Sequence, residues 1–308
     1  MRTDNGPGSE LAHRVCPACG ADTPHQEISS DPPGEALPYA ELRRYWSGLF
    51  DGRVFLSYAR CAVCRLLYAP EFLTLDHLDE LYANMAPNMA LLTQGAIEAT
   101  QHGYWQVAKR SGCLDGDYLE IGPDTGHIVR PAVAEGRFDR FWLFEPNRAV
   151  HAPLAEATAG RPHVISTDME DLSKVPDGSV GLAVMVQVLD HLLDPGAMLA
   201  RVRAKLKPDG KLIIVTHNEA SLLRKVMGNN WPPFCLQHPQ LYNPASLADL
   251  VRRAAYSRVR VERSKNYFPI EFMARQAAYT FGFKVARLPL PKAAIGLKLG
   301  NMIAIADR

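Results

Sequence analysis

Between residues 116 and 215 the chain alternates short apolar runs with helix-length segments of mixed polarity. Tyr118-Leu-Glu-Ile121, Arg140-Phe-Trp-Leu-Phe144, Val164-Ile-Ser166, Val180 to Val188 and Lys211 to Val215 predict five strands. The fourth is apolar almost throughout, as a strand covered on both faces should be. The intervening segments predict helices ending near Glu135, spanning about Asn147 to Ala159, and spanning about Pro195 to Leu206. Lys207-Pro-Asp-Gly210 reads as the turn into the fifth strand. Strands alternating with helices at this spacing predict an α/β fold with a parallel, doubly wound sheet. A helix over about Ala245 to Ala255, a strand at Arg258–Val261 and a closing strand over Asn301–Ala306 follow.

The first third has another texture. From Thr74 to about Arg110 the spacing is helical: Leu75, Leu78, Leu81 and Tyr82 share one face, and a second run spans Asn88 to Arg110. These connectors could wall off part of the pocket of the main domain. Ser29 to Pro38 (SSDPPGEALP) is a Pro-rich loop, and residues 1–14 read as a disordered tail. The opening MRTDNGPGSE has no apolar core of a secretory signal, so a cytoplasmic protein is expected. No run approaches the 18 or so apolar residues of a membrane span, which argues against a membrane partner. The expected plan is a tail over 1–14, a small module over 15–70, a helical connector over 71–112 and a main domain over 113–308.

Composition narrows the partners. The 308 residues carry 34 Lys+Arg against 33 Asp+Glu, a net charge of +1. That balance argues against a nucleic-acid binder, whose footprint is a basic excess. Four of the six cysteines form Cys16-x-x-Cys19 and Cys61-x-x-Cys64, leaving Cys113 and Cys235 isolated. Two such knuckles bring four thiolates to one point, the ligand set of a tetrahedral structural Zn²⁺. The 41 residues between the knuckles exceed the usual ribbon spacing, so an insertion lies between them. His13 and His25 are near enough to substitute, but four cysteines complete the shell.

Leu119-Glu-Ile-Gly-Pro-Asp-Thr-Gly126 closes the first strand and opens a helix. Gly122 and Gly126 allow a tight turn and a close approach of ligand to backbone, with helix N-terminal amides behind. Glu145 ends the second strand 25 positions after Glu120, where a carboxylate meets the ribose hydroxyls of an adenosine. Asp168 holds the equivalent place after the third strand, and the fourth runs out through Gln187 to Asp190-His191.

The series E-I-G-x-x-x-G, F-E-P, D-M-E, V-L-D-H-L and L-K-P-D-G-K resembles the Rossmann-like S-adenosylmethionine (SAM)-dependent methyltransferases over about Gly116 to Val215. The resemblance implies that Glu120, Gly122 and Gly126 shape the methionine and sugar pocket, Glu145 binds ribose, Asp168 and Met169 flank adenine, and Gln187 lines the sulfonium. An NAD(P) site would want glycine at the middle of the turn, where Asp124 stands.

The segment Trp231-Pro-Pro through Leu247 is similar to W-P-P…E-H-L-x-Y-F-S-P-x-x-L of small-molecule methyltransferases. Together with the double CxxC it resembles deoxysugar C-methyltransferases of antibiotic biosynthesis. Their H-E-H-L-x-Y reads Leu236-Gln-His-Pro-Gln-Leu241 here, and only about 90 residues follow the fifth strand. The reading is therefore a methyltransferase with a structural zinc module acting on a sugar or specialised metabolite, with O- or C-methylation favoured.

A proton-bearing acceptor needs a base, and histidine titrates near working pH. His238, in the loop after the sheet, and His191, just past the fourth strand, are the candidate catalytic residues; His217 and His127 are weaker ones. Phe268, Phe272, Tyr279 and Phe281 could line an acceptor site. Two alternatives stand beside this reading. One is an RNA methyltransferase using Arg43, Arg44, Arg53, Arg60 and Arg65 of the zinc module; the other is a non-catalytic SAM-binding protein.

Overall fold

A computed structural model describes residues 11–46, 54–83, 93–271, 273–275 and 293–308. Most of the tail expected over 1–14, the start of the helix expected from Asn88, and Arg53, Phe272, Tyr279 and Phe281 lie outside the described residues. The N-terminal part carries β1 (Leu11–His13), β2 (Pro24–Ile28), α1 (Tyr39–Leu42), β3 (Tyr58–Cys61), β4 (Leu67–Tyr68) and β5 (Glu71–Leu73). Helices α2 (Leu75–Ala83) and α3 (Gln94–Ser111) lead into β6 (Asp115–Ile121), α4 (Val129–Glu135), β7 (Arg137–Phe144), α5 (His151–Ala157) and β8 (His163–Ser166). β9 (Val180–Val186), α6 (Pro195–Lys205) and β10 (Leu206–His217) follow. The remainder is α7 (Leu222–Met227), β11 (Gln240–Leu241), α8 (Pro244–Arg253), β12 (Ser257–Arg263), β13 (Asn266–Pro269), β14 (Ala294–Leu297) and β15 (Asn301–Asp307).

The main sheet has seven strands in the order β12-β15-β10-β9-β6-β7-β8. The five strands from β10 to β8 are parallel, as the alternating pattern predicts. β15, the closing strand the sequence predicts, inserts between β10 and β12 and runs antiparallel to both. The turn expected at Lys207–Gly210 is a bulge inside β10: Leu206 pairs with Val180, and the next aligned pair is Lys211 with Leu182. Gly210 is required there, since a Cβ would stand 2.9 Å from the Val180 carbonyl oxygen.

The period-2 alternation of the strands sorts the core into two layers. Tyr118, Phe141, Leu143, Leu182, Val184, Ile213 and Val215 pack under α3, α4 and α5. Leu119, Ile121, Trp142, Phe144, Ala183, Met185, Leu212 and Ile214 face the other way, against α6 and α8. Cys16, Cys61, Leu66 and Tyr68 belong to this second cluster, so the N-terminal part shares its core with the main sheet. A four-stranded sheet, β11-β4-β3-β2, takes its edge strand from Gln240–Leu241. Among the described residues no helix is long and apolar enough to cross a membrane.

Candidate functional site

β6, β7 and β9 end together at the carboxyl edge, where doubly wound sheets bind ligands. Gly122 (φ +68°) turns the chain out of β6, and a Cβ there would collide with Val188 at 2.5 Å. Gly126 (φ +81°) lies against Ala157 and Leu154 of α5 in the same way. Asp124 also adopts a positive φ (+50°), and its amide donates to Glu145 Oε2 at 2.9 Å. Glu145 Oε1 accepts from the Asn147 amide, also at 2.9 Å. An ionised carboxylate has about four acceptor sites, so two remain for a diol. Burial lifts the Glu145 carboxyl above its ordinary value against the pull of those two amides. Glu120 is 2% exposed and accepts from the Tyr118 hydroxyl at 2.6 Å; burial pushes it up to about 8.

The other predicted donor-side residues differ among themselves. Asp168 is exposed, and its Oδ1 is committed to its own loop, accepting from the amides of Glu170 (2.9 Å) and Asp171 (3.2 Å). Met169 is half-buried against the core. Gln187 takes a positive φ (+55°) just past β9, uncommon for a residue with a side chain, and its buried Oε1 has no hydrogen-bond partner among the described residues. A cleft of about 440 Å³ opens between α3 and the turn after β6, lined by Gln94, Glu98, Gln101, His102, Thr125, His127, Arg130 and Pro131. The connector helix lines this cleft, and Glu145 and the three histidines described next are outside its lining.

His191, His217 and His238 converge beside the ends of β9 and β10. The rings of His191 and His238 are 4.6 Å apart, and those of His217 and His238 are 5.0 Å apart. Asp190 is fully buried among them; its Oδ2 accepts a 3.4 Å bond from the His217 amide, and its Oδ1 makes no close hydrogen bond among the described residues, with the Thr216 hydroxyl as its protic neighbour. Burial alone would raise this carboxyl, but the imidazoles of His217, His238 and His191 hold it below its ordinary range. Burial drives His191 down to about 3 and His217 to about 4. His238 goes the other way, to about 9, because Cys235 Sγ at 3.2 Å and Asp190 outweigh its burial. Both residues predicted as catalytic thus sit in one cluster. His191, hydrogen-bonded to the Tyr82 hydroxyl at 3.1 Å, is the weaker base of the two. Asp190 was not singled out by sequence reasoning, although it is the aspartate of V-L-D-H-L.

The loop carrying His238 is bolted down by the N-terminal part. The Tyr58 hydroxyl donates to the His238 carbonyl (2.7 Å), the Ala69 amide to Pro239 (2.9 Å), and Gln237 Nε2 to the Trp46 carbonyl (2.8 Å). Arg14 reaches the carbonyls of Leu193 (3.0 Å) and Pro239 (3.2 Å), and Gln240 Nε2 ties to Leu189 and Leu192.

In the same N-terminal part Cys16, Cys19, Cys61 and Cys64 bring their sulfurs within 4.8 Å of one another. The Cys16–Cys64 and Cys19–Cys61 separations are 3.4 and 3.6 Å. Zn–S bonds of about 2.3 Å in a tetrahedron place sulfurs about 3.8 Å apart, so the four thiols fit a zinc ion with little movement. His13 is not part of the cluster; its ring bonds Glu71 and Asp22. Of the arginines expected to serve RNA, Arg60 is held between Glu27 and Glu219, and Arg43 pairs with Glu80.

Comparison with known proteins bears on the whole of this edge. A family model described as a methyltransferase domain matches residues 100–260. No curated protein is similar enough to match the chain. Among solved structures the chain is similar to a SAM-dependent methyltransferase of Thermotoga maritima, at 18% identity over 68% of this chain and 90% of that one, with a TM-score of 0.47. It is also similar to a SAM-dependent methyltransferase of Aquifex aeolicus (13% identity, 71% and 95% covered, TM-score 0.47). A third similarity is to phosphoethanolamine N-methyltransferase 2 of Haemonchus contortus in complex with SAM (14% identity, 67% and 52% covered, TM-score 0.45).

Proposed function

The chain belongs to the methyltransferase-domain family, and we propose that this SAM-dependent methyltransferase acts on a small-molecule acceptor, a sugar or a specialised metabolite, rather than on RNA. The observation that carries the choice is what the N-terminal part does with its side chains. Arg60 lies between two carboxylates, and Tyr58, Ala69 and Trp46 grip the loop of His238. A module that spends Arg60 and its strand edge inward serves as a support for the acceptor side; a nucleic-acid grip would present them to phosphates.

On this reading Glu145 takes the ribose hydroxyls, Gly122 and Gly126 admit the methionine and sugar, Asp168 and Met169 lie by the adenine, and Glu120 and Gln187 flank the donor. A Zn²⁺ on Cys16, Cys19, Cys61 and Cys64 would supply structural cross-linking only, since four thiolates leave no open position. Methyl transfer from a sulfonium is an in-line displacement, and alignment at near-attack distance does most of the work. The Asp190–histidine cluster activates an acceptor that must lose a proton, a hydroxyl or a carbon beside a ketone. On this reading O- or C-methylation is favoured, since a hydroxyl or an activated carbon needs its proton drawn off for attack.

The test is product analysis. The full chain is incubated with SAM and, separately, with hydroxylated or keto sugars, phenolic metabolites and total RNA, and S-adenosylhomocysteine and methylated product are followed by mass spectrometry. Small-molecule product supports the reading. Methylated RNA with tight, steeply salt-dependent binding overturns the acceptor assignment, and SAM binding without turnover on any acceptor favours a non-catalytic role.

A further inference from the structure

We propose that Asp190, His217 and His238 form a binding site for a divalent first-row cation, distinct from the four-cysteine cluster, whose open positions take an oxygen of the acceptor. One ligand atom from each residue lies within 4.8 Å of the other two, close enough for small side-chain adjustments to close on a single ion. Strand geometry sets this convergence. β9 and β10 are parallel neighbours, so Asp190, just beyond β9, and His217, the last residue of β10, project at the same edge. The loop of His238 is laid over them by Tyr58 and Gln240.

Two independent features point to a ligand. The first is the buried Asp190 Oδ1, which makes no close hydrogen bond among the described residues and has beside it only the Thr216 hydroxyl, itself otherwise unbonded. An unsatisfied carboxylate oxygen with no exposure costs more than any other polar group unless something charged or protic meets it. The second is the state of the two imidazoles. His217 Nδ1 donates to Asn301 Oδ1 at 3.0 Å, and His238 Nδ1 donates to the Pro233 carbonyl at 2.7 Å. Committing the Nδ1 proton to an oxygen acceptor leaves Nε2 as the ring atom free for an ion, the outer-shell arrangement found behind metal-binding histidines; on His238, which is held protonated, the cation displaces the Nε2 proton as it binds. Two imidazole nitrogens and one carboxylate suit iron(II), manganese(II), cobalt(II) or zinc(II), with positions left over for oxygen ligands. His191, neutral and held by Tyr82, borders the site without being needed as a ligand.

The inference rests on the reading of this edge as the acceptor side, and the experiment separates the two. Full-length protein carrying a single equivalent of zinc, which the four thiolates take first, is titrated with Mn²⁺, an ion those thiolates do not favour, and free Mn²⁺ is followed by electron paramagnetic resonance. SAM affinity is measured by calorimetry on the same samples. The expected result is one Mn²⁺ per chain, with ¹⁴N couplings from imidazole in the pulsed spectrum of the unmodified protein. Asp190→Asn and His217→Gln should each weaken Mn²⁺ by more than tenfold and leave SAM affinity unchanged, since removing a ligand exceeds the tenfold or larger loss from an outer-shell change. Absence of Mn²⁺ binding, binding without ¹⁴N coupling, or equal binding by the variants overturns the cation site even where SAM still binds. Loss of SAM binding by the unmodified chain instead overturns the methyltransferase reading of the crevice. The nitrogen couplings need no variant, so the inference stays testable if the substitutions fail to fold.

Discussion

Glu145 spends one acceptor position on the Asp124 amide and one on the Asn147 amide, so the turn and the strand tip hold it in a single orientation before any ligand arrives. A hydroxyl pair that binds the remaining positions gains bonds to a preformed, charged acceptor. Glu145→Ala should therefore weaken SAM by about 1–3 kcal/mol, the range for hydrogen bonds to a charged group, measured by titration calorimetry. An unchanged affinity removes Glu145 from the donor site. Glu120 gives a prediction about pH. Its proton is held up to about pH 8 in the folded chain, through burial first and then the nearby Glu145 and Asp124 carboxylates, against an unfolded value of 4.5. An acid whose pKa rises on folding favours the folded state least when ionised, so stability declines as pH climbs between those two values, by at most about 1.4 kcal/mol per pH unit. Denaturant unfolding at pH 5 and pH 8 should show the decline in the native chain and a flatter profile in Glu120→Gln. Parallel profiles would show that Glu120 ionises freely in the fold.

Strands and helices of the main sheet were legible because their signal is local. β6, β7, β9 and the helix before β10 fall where apolar runs and turn residues put them, and Gly122 and Gly126 carry the positive φ that the turn demands. Non-local features were not legible. Nothing in Gln240–Leu241 marks it as a strand paired with β4, more than 170 positions earlier, and the antiparallel entry of β15 depends on a neighbour chosen by the whole sheet. The histidines were visible one by one, whereas their meeting around Asp190 needs β10 and the loop of His238 in place. That loop has a testable dependence on the cysteines. If zinc joins the knuckles, Cys61→Ser should lower metal content and speed amide exchange in residues 58–69 and 231–242, because Tyr58 and Ala69 are the anchors next to Cys61. Turnover should fall while SAM affinity holds, since the donor residues lie at and just beyond the ends of β6, β7, β8 and β9. Unchanged exchange in the loop would show that the knuckles stabilise only themselves.

At the scale of the molecule, the sequence divides into a cysteine module, a connector and a sheet, but the packing runs continuously across those divisions. Cys16, Cys61, Leu66 and Tyr68 lie in the same apolar cluster as Met185, Leu189, Met198 and Leu247. Ile28, Phe55, Tyr58 and Leu67 cluster with Trp231, Phe234 and Leu241. Arg60 adds an ion pair to Glu219, beyond the end of β10, and Glu219 in turn accepts from Asn243 Nδ2, the side chain that caps α8. A chain starting at Thr93 would keep every strand of the main sheet yet expose Trp231, Phe234, Leu241 and Tyr242, all under 4% exposed in the full protein. Full burial of each large side chain is worth about 1.5–3 kcal/mol. Losing that cover for four of them approaches the whole 5–15 kcal/mol margin of a typical domain. The truncated chain should therefore aggregate or stay loosely folded, with weak near-ultraviolet circular dichroism and no measurable SAM binding. A soluble, monomeric truncation that binds SAM as the full chain does would mean that the contacts between the two parts add little to either. The cysteine module would then be an attachment rather than one wall of the fold.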